Sequence, residues 1–558
     1  LSIRMRKAFS FTAIVLGFFM ALLDTTIINI ALPEMTRQFG GSVSQISWVI
    51  NGYNLAFAVF ILTASRLADQ FGRKKIFIIG VVLFTVTSLL AGFASSLGML
   101  IGLRVLQGLA GAIIVPVTIP LTTTTFPKEM HGLIIGIWGA VSGVAAASGP
   151  ALGGIITQNL NWQWIFFVNV PLGVLSVVLT CLFIQESRDD TAGRSIDYGG
   201  TLGITGAMFF ITYALIKVQD YGWNSRMTLL LLAAGVLFLV FFFLTQWKGK
   251  EPMLPLSLLR IPPFNGATLT MLFVGAGLMN ISLLTSFFLT RMMGMTELRA
   301  GLVLSMIAVG SIVSSALSGP LSNKYGSQLF GAVGMIMMAG AMYSLSGLHA
   351  DSTIPEVLIR LVVAGIGTGF TMAPVMSSAV RNVPEEKVGI SSGITNMAKS
   401  LGGVIGVAII VTVLQQNTSD GLHAASVRAV KAVEKDAVLQ PFLKTVIADA
   451  AGSLANVESS PAETSEKVLK EAELAAARLA PSDQQAFAAD RSRQTREMEL
   501  VLSRAGEDMK HEAEQAYSRT YVLASLIMLP GAVFALFSDK RRKRKGAGVP
   551  GELTLPQQ

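Results

Sequence analysis

The stretch ALLDTTIINIALP, Ala21–Pro33, decides how the chain is read. It lies inside an apolar run that begins at Phe9 and places one carboxylate, Asp24, near the middle of a helix that must cross a membrane. An ionised carboxylate at that depth costs several kcal/mol. Such a residue persists where it faces a polar cavity, pairs with a cation or carries protons.

The rest of the chain agrees with a membrane reading. Its 558 residues are 52% hydrophobic and only 14% charged, with a mean hydropathy of +0.60, whereas soluble domains are about one quarter charged. Apolar runs recur along almost the whole length, each of about 20 residues and so able to cross a hydrocarbon core of about 30 Å. The alternating pattern of a transmembrane β-barrel is absent. The expected fold class is therefore an all-α polytopic membrane protein.

Fourteen spans are expected, at about 9–32, 46–65, 76–94, 99–121, 132–155, 164–184, 199–217, 227–246, 265–288, 300–319, 328–347, 354–376, 390–414 and 518–537. The first run is too long for a signal-peptide core and lacks a small-residue cleavage site, so it is expected to stay as a span. With the N-terminus inside, the inner segments carry Arg4, Arg6, Lys7, Arg66, Arg73, Lys74, Lys75, Lys128, Arg188, Arg194, Lys248, Lys250, Arg260, Lys324, Arg381, Lys387 and the run Lys540–Lys545. The short outer loops carry only Arg37, Arg226, Arg291 and Arg299. This bias puts both termini in the cytoplasm. It also accounts for the net charge of +9 without nucleic acid as a partner.

Two halves repeat weakly. Ser65–Gly72 (SRLADQFG) matches Gly319–Gly326 (GPLSNKYG), and Phe126-Pro-Lys-Glu matches Val383-Pro-Glu-Glu, about 255 residues on. Arg104 and Arg360 fall at similar offsets. A duplicated six-span unit explains this. The first unit occupies 1–184, two extra spans occupy 185–250, and the second unit comprises 251–414 with 518–558, including a basic tail. Residues 415–517, rich in Ala, Glu, Lys, Ser and Gln, form an insertion between spans 13 and 14. Parity places it outside, as a solvated helical hairpin, a lid or a docking site. Thr464–Leu479 reads as one amphipathic helix, and Pro481 starts another that runs toward Tyr517. Transporters built from repeats put the substrate between the halves near the midplane.

Four motifs carry the chemistry. In the loop Ser65–Lys75, Gly72 permits a sharp turn, Arg73, Lys74 and Lys75 anchor to the inner leaflet, and Asp69 can accept from a helix N-terminus or a cation. Asp69 does nothing for topology, so a switch role is expected. In Leu100–Ala112 (LIGLRVLQGLAGA), Arg104 cannot shed its proton and needs an acid, carbonyls or water. Gln107 and Gly108 lie one turn on. Asp24, the only acidic residue well inside a span, is its partner by elimination. Span 5 carries Gly139, Gly143, Ala147 and Ala151 on one smooth face and ends in SGPALGG, Ser148–Gly154, where Pro150 loosens the helix. This is a packing face or a hinge between the halves. Lys217 is expected to snorkel to the outer interface, while Lys399, deep in span 13, is unexplained, with pairing to a carboxylate or repulsion of cationic substrates as the two readings. Met20, Asn29, Tyr53, Asn54, Gln107, Met279 and Asn280 are candidates for lining a soft cavity.

Taken together these motifs resemble the major facilitator superfamily, and within it the fourteen-span drug:proton antiporters. LDTTIINIALP resembles that subfamily's first-span signature, Ser65–Lys75 the superfamily's loop motif, Leu100–Ala112 its fourth-span arginine motif and Ser148–Gly154 its antiporter motif. Asn161–Gly173 (NWQWIFFVNVPLG) is similar to the start of its sixth span. The resemblance covers about 9–414 and 518–537. It implies a major facilitator fold in which Asp24 is the protonatable or cation-recognising carboxylate and Arg104 its tuner. Asp69, Gly72 and Arg73 would form a conformational switch, and Gly149, Pro150, Gly153 and Gly154 a hinge. Ser65 stands where the motif usually has Gly, which predicts a looser helix approach, and Asn323 replaces the acid of the second copy.

The expected function is proton-coupled multidrug efflux by alternating access. Burial favours the neutral carboxyl of Asp24 and Arg104 favours the charged one, so protonation would respond to which side the cavity faces. Lipophilic, cationic cargo is expected, on the ground that an unpaired carboxylate in an apolar cavity favours cations. The alternatives are an exporter or flippase of an amphipathic lipid or metabolite, and a membrane sensor or scaffold working through 415–517. An enzyme is not expected, because no catalytic constellation is present. Cys181 is the only cysteine and His131, His349, His423 and His511 are scattered, so no metal site is expected. No cofactor is expected beyond a proton gradient. The expected partners are small lipophilic substrates, protons and the bilayer, around a monomer in a bacterial cell membrane.

Overall fold

A segment in lipid must satisfy every backbone N–H and C=O internally, and this chain does so with helices. The computed structural model describes residues 3–40, 43–127, 130–188, 197–249, 252, 254–436, 438–446, 470, 474 and 481–539, with no β-strand among them. The helices are α1 (Ile3–Phe39), α2 (Val43–Phe71), α3 (Arg73–Ala91), α4 (Leu97–Thr125), α5 (His131–Asn159), the short α6 (Trp164–Phe167), α7 (Asn169–Phe183), α8 (Tyr198–Tyr221) and α9 (Arg226–Lys248). They continue with α10 (Pro262–Phe287), α11 (Glu297–Tyr325), α12 (Ser327–Leu345), α13 (Ile354–Arg381), α14 (Val388–Lys435) and α15 (Pro481–Ala535). Every expected span falls on one of them. Among the described residues, 13 stretches are long and apolar enough to cross a membrane. The remaining expected span lies on α5, a helix of 29 residues. The expected Thr464–Leu479 helix, Lys128, Arg194, Lys250 and Lys540–Lys545 lie outside the described residues.

Local chemistry sets the helix ends. Ser96, Ser225 and Thr296 each accept a hydrogen bond from the backbone N–H three residues on, and Thr353 with Glu356 forms a reciprocal capping box. These contacts satisfy donors that a helix start leaves orphaned. At the opposite end of the bundle, Gly72 and Gly326 take φ of 114° and 89° and start α3 and α12, so the two copies of the loop motif share a backbone device that side chains resist.

Helices α1–α7 pack on one another as one bundle and α10–α15 as a second. α8 bridges them. Its Thr205 meets Thr63 of α2 at 3.4 Å, and Leu215 and Val218 pack on Ala408 of α14. Trp223, just beyond α8, donates to Thr412 of α14 at 3.2 Å. α9 packs on α8 and turns Leu229, Leu230, Val236, Leu237 and Val240 outward, which suits a lipid-facing helix. Lys217, near the end of α8, pairs with Asp220 at 2.6 Å and lies over the Trp48 ring, as an interfacial lysine does.

The composition change at residue 415 is not a structural break. α14 runs unbroken for 48 residues and α15 for 55, about 72 and 82 Å of helix, against about 30 Å of hydrocarbon. Both therefore continue out of the membrane as an antiparallel pair. Arg428 joins Glu512 at 2.8 Å and Asp508 at 3.4 Å. Val433, Leu439, Leu443, Met498, Val501 and Leu502 form a small core of their own. Glu514 accepts from the Ala350 N–H at 2.7 Å, which ties the pair to the turn before α13. The two membrane helices thus carry the projecting part rigidly.

Candidate functional site

Asp24 sits where α1, α4 and α7 meet and is 1% exposed. One carboxylate oxygen accepts from Arg104 Nη1 and the other from Asn169 Nδ2 at 3.2 Å. Arg104, also 1% exposed, donates through Nε to the Val49 carbonyl at 2.9 Å and through Nη1 to Gln107 Oε1 at 2.9 Å. Gln107 donates onward to Ser88 at 2.7 Å. The Tyr53 ring lies 4.6 Å from the guanidinium carbon, and its hydroxyl donates to the Ala21 carbonyl at 3.3 Å. Packing permits this convergence: a Cβ at Gly108 would lie 2.2 Å from the Tyr53 carbonyl oxygen, so only glycine lets α4 approach α2 so closely.

The structure brings Asp24 and Arg104 together, with Tyr53 and Gln107 in the same network. Met20, Tyr53 and Gln107 are enclosed within the bundle, whereas Asn54 is half-buried and Met279 is 51% exposed. The side chain of Asn29 lies outside the described residues. One expectation needs correction. Cationic cargo was argued from an unpaired carboxylate, but Asp24 is paired and both its oxygens are occupied, so it offers no free charge to a cation.

A second cluster lies at the end bearing the Ser65–Lys75 loop, called here the basic end. Arg73 Nε donates to Asp69 Oδ1 at 2.8 Å, and both residues are buried. Asp69 rests against the first turn of α14, where a Cβ at Gly389 would lie 2.2 Å from both carboxylate oxygens. There the unsatisfied N–H groups and the helix dipole favour negative charge. Ser65 donates to the Gly389 carbonyl at 2.8 Å. The looser approach predicted from Ser65 is therefore not found. The glycines that allow contact, Gly389 and Gly393, are on the partner helix, and Ser65 adds a bond across the seam. Gly72 is held at φ 114° with the Glu186 carboxyl against it, and Glu186 accepts from the Lys74 and Lys75 N–H groups at 2.9 and 3.1 Å.

The smooth face of α5 divides its contacts. Gly139 faces Ser315, Gly143 faces Ala308 and Ile312, and Gly154 faces Leu298, all on or at the start of α11 in the other bundle. Gly149 instead meets Thr26 of α1, two residues from Asp24. Gly153 is buried, and the Pro150 side chain lies outside the described residues. One helix therefore touches both the seam between the bundles and the wall of the Asp24 site.

Sequence reading missed two residues. Asn169 stands in the quoted Asn161–Gly173 stretch without a role, and its signal was an amide in an otherwise apolar span. Glu186 stands in a loop with three other acidic residues, Asp189, Asp190 and Asp197, and two arginines, so its charge did not single it out.

The chain matches the Major Facilitator Superfamily over residues 14–407. It is 33% identical over 408 residues to the tetracenomycin C resistance and export protein of Streptomyces glaucescens, covering 73% of this chain and 76% of that one. It is 32% identical over 444 residues to the multidrug resistance protein Stp of Mycobacterium tuberculosis, covering 79% and 81%. Among solved structures, the human organic anion transporter MFSD10 shares the fold with a TM-score of 0.56 at 12% identity, over 73% of this chain and 93% of that one. By sequence, fold and site, the chain is a multi-pass membrane transporter, not an enzyme, and it belongs to the major facilitator superfamily.

Proposed function

We propose that the protein is a proton-coupled exporter of lipophilic, drug-like compounds, of the fourteen-span antiporter type, working by alternating access with the basic end in the cytoplasm. The named roles of the relatives, tetracenomycin C export and multidrug resistance, support the export part. One observation carries the coupling part: Asp24 shares Arg104 with two other acceptors, the Val49 carbonyl and Gln107. A proton and the guanidinium compete for the carboxylate. When the proton wins, Arg104 keeps its other partners and is not stranded in a low-dielectric interior. Neutralising Asp24 frees α1 from α4, and Gly149 of α5 packs directly on that part of α1. The seam between Asp69 and α14 closes the basic end in the conformation described, and its opening is the other half of the cycle.

The test is Asp24→Asn in proteoliposomes, with an imposed proton gradient and a panel of lipophilic dyes. Gradient-driven transport is expected to fall to the leak rate while exchange of labelled for unlabelled dye continues, since the variant mimics the protonated state permanently. Unchanged gradient-driven transport removes Asp24 from the coupling role.

A further inference from the structure

The second half carries positive charge at membrane depth for which no ion pair appears among the described residues. Arg104 and Arg360 are 256 residues apart, and the same separation takes Asp24 to Asn280. The second copy thus keeps the arginine and has an amide where the first has its carboxylate. Asn280 is 1% exposed, and neither its Nδ2 nor its Oδ1 has a partner among the described residues. The Nη1 of Arg360 is likewise buried without one. Lys399 adds a second cation, on which no charged or hydrogen-bonding group acts among the described residues. It lies 11 residues into α14, about 16 Å along the helix and so near the middle of a core about 30 Å thick.

Among the described residues no carboxylate is paired with it. Between Pro262 and Leu414 the acidic residues are Glu297, Asp351, Glu356, Glu385 and Glu386, all in turns or in the first turn of a helix. Asp24 is occupied by Arg104. An uncompensated ammonium at this depth is costly, and an anion brought to it from outside the chain would relieve that cost.

Lys399 lies close to the α10 side of α14: a Cβ at Gly275 of α10 would come within 1.8 Å of its carbonyl oxygen. Gly389 and Gly393 pack on α2, and Gly402 and Gly406 on α10. At about 100° per residue, Lys399 falls between these two contacts, on a face shared with Asn396 and Gly403. Gly403 meets the side chain of Met279, which is 51% exposed although α10 is packed by α11, α12, α13, α14 and α15. On this face Asn396 and Gly403 are buried, Lys399 is half-buried, and the neighbouring Met279 side chain is the exposed part of the contact.

We propose that Lys399 is the recognition site for an anionic group on the exported compound, a carboxylate or phenolate on an apolar ring system. The assignment rests on the export reading and narrows its cargo, from cations to lipophilic monoanions. The two halves then divide the work: the first holds the buried Asp24–Arg104 pair and the second meets the cargo's charge.

The test uses three ring-matched probes, 9-anthracenecarboxylate, its neutral methyl ester and 9-anthracenylmethylammonium, with the purified protein in nanodiscs of zwitterionic lipid. The carboxylate is expected to bind about tenfold tighter than the ester, as one partly desolvated charge pair supports, and the ammonium more weakly than either. Lys399→Met is expected to remove the preference and leave ester binding unchanged, which also shows that the variant is folded. Lys399→Arg is expected to keep the preference. Wild-type protein that takes the ammonium as well as the carboxylate, or a Lys399→Met variant that still prefers the carboxylate, overturns the assignment. Transport of the same probes in vesicles separates this from the export reading. Carriage without charge preference sinks the site and leaves export standing, whereas preferential binding without carriage does the reverse.

Discussion

Arg104→Met is expected to cost the protein about 3–5 kcal/mol of stability, because it leaves Asp24 charged, 1% exposed and without its cation. The Asn169 amide would then be its one remaining partner from the network described. The Val49 carbonyl and Gln107 each lose a donor as well. Asp24→Asn is expected to be far milder, since its amide oxygen still accepts from Arg104 and the arginine keeps its other acceptors. The double variant Asp24→Asn/Arg104→Met is expected to recover much of the loss, because removing both charges leaves no ion uncompensated. Thermal unfolding of the three variants in detergent, followed by tryptophan fluorescence, gives the ordering. All three are expected to fail in gradient-driven transport, so stability and coupling separate cleanly. If Arg104→Met melts with the wild type, the pair is not the buried, mutually dependent unit described above.

Locking the basic end is expected to stop transport reversibly. A Cβ at position 393 would lie 2.8 Å from the Cβ of Ser65, and a disulfide places these atoms about 3.8 Å apart. The pair Ser65→Cys/Gly393→Cys therefore needs the seam to yield by only about 1 Å. Made in a Cys181→Ser background, which removes the chain's only cysteine, it is expected to crosslink on mild oxidation. Transport should then fall to the leak rate and return with reductant, while each single cysteine variant stays active. Full crosslinking with undiminished transport means that this seam does not open in the cycle. Gly389→Ala works in the opposite sense. Its methyl group would press on a carboxylate that Arg73 already holds at 2.8 Å. The basic end is then expected to be harder to close, and the thiol of a Gly393→Cys variant more open to thiol reagents.

Several elements show why part of the site was legible and part was not. Asp24 and Arg104 could be matched by elimination because opposite charges are scarce at membrane depth, and each must be compensated. Asn169 could not be found that way. An amide carries no net charge, and many amides in spans merely pack. Ser65 was misjudged because a seam has two sides. The sequence of α2 holds one of them, and the glycines that make the approach close lie more than 300 residues away on α14. The continuation of α14 and α15 past the membrane was hidden for another reason. A polar composition shows that a segment leaves lipid, but a helix satisfies its own backbone in either solvent and need not stop there.

By itself the sequence determined that the chain is helical and which stretches are apolar enough to cross the bilayer, and it showed a weak repeat between the halves. These follow from residue-by-residue solvation in lipid and from charge in the short loops, which are local and nearly additive quantities. Only the tertiary structure decided that Asn169 and the Val49 carbonyl complete the Asp24–Arg104 network and that Asp69 closes onto the start of α14. It also left Lys399 half-buried with no carboxylate paired to it among the described residues. Those are facts about which side chains share a space, and they depend on the rotation and depth of helices that are distant in the chain.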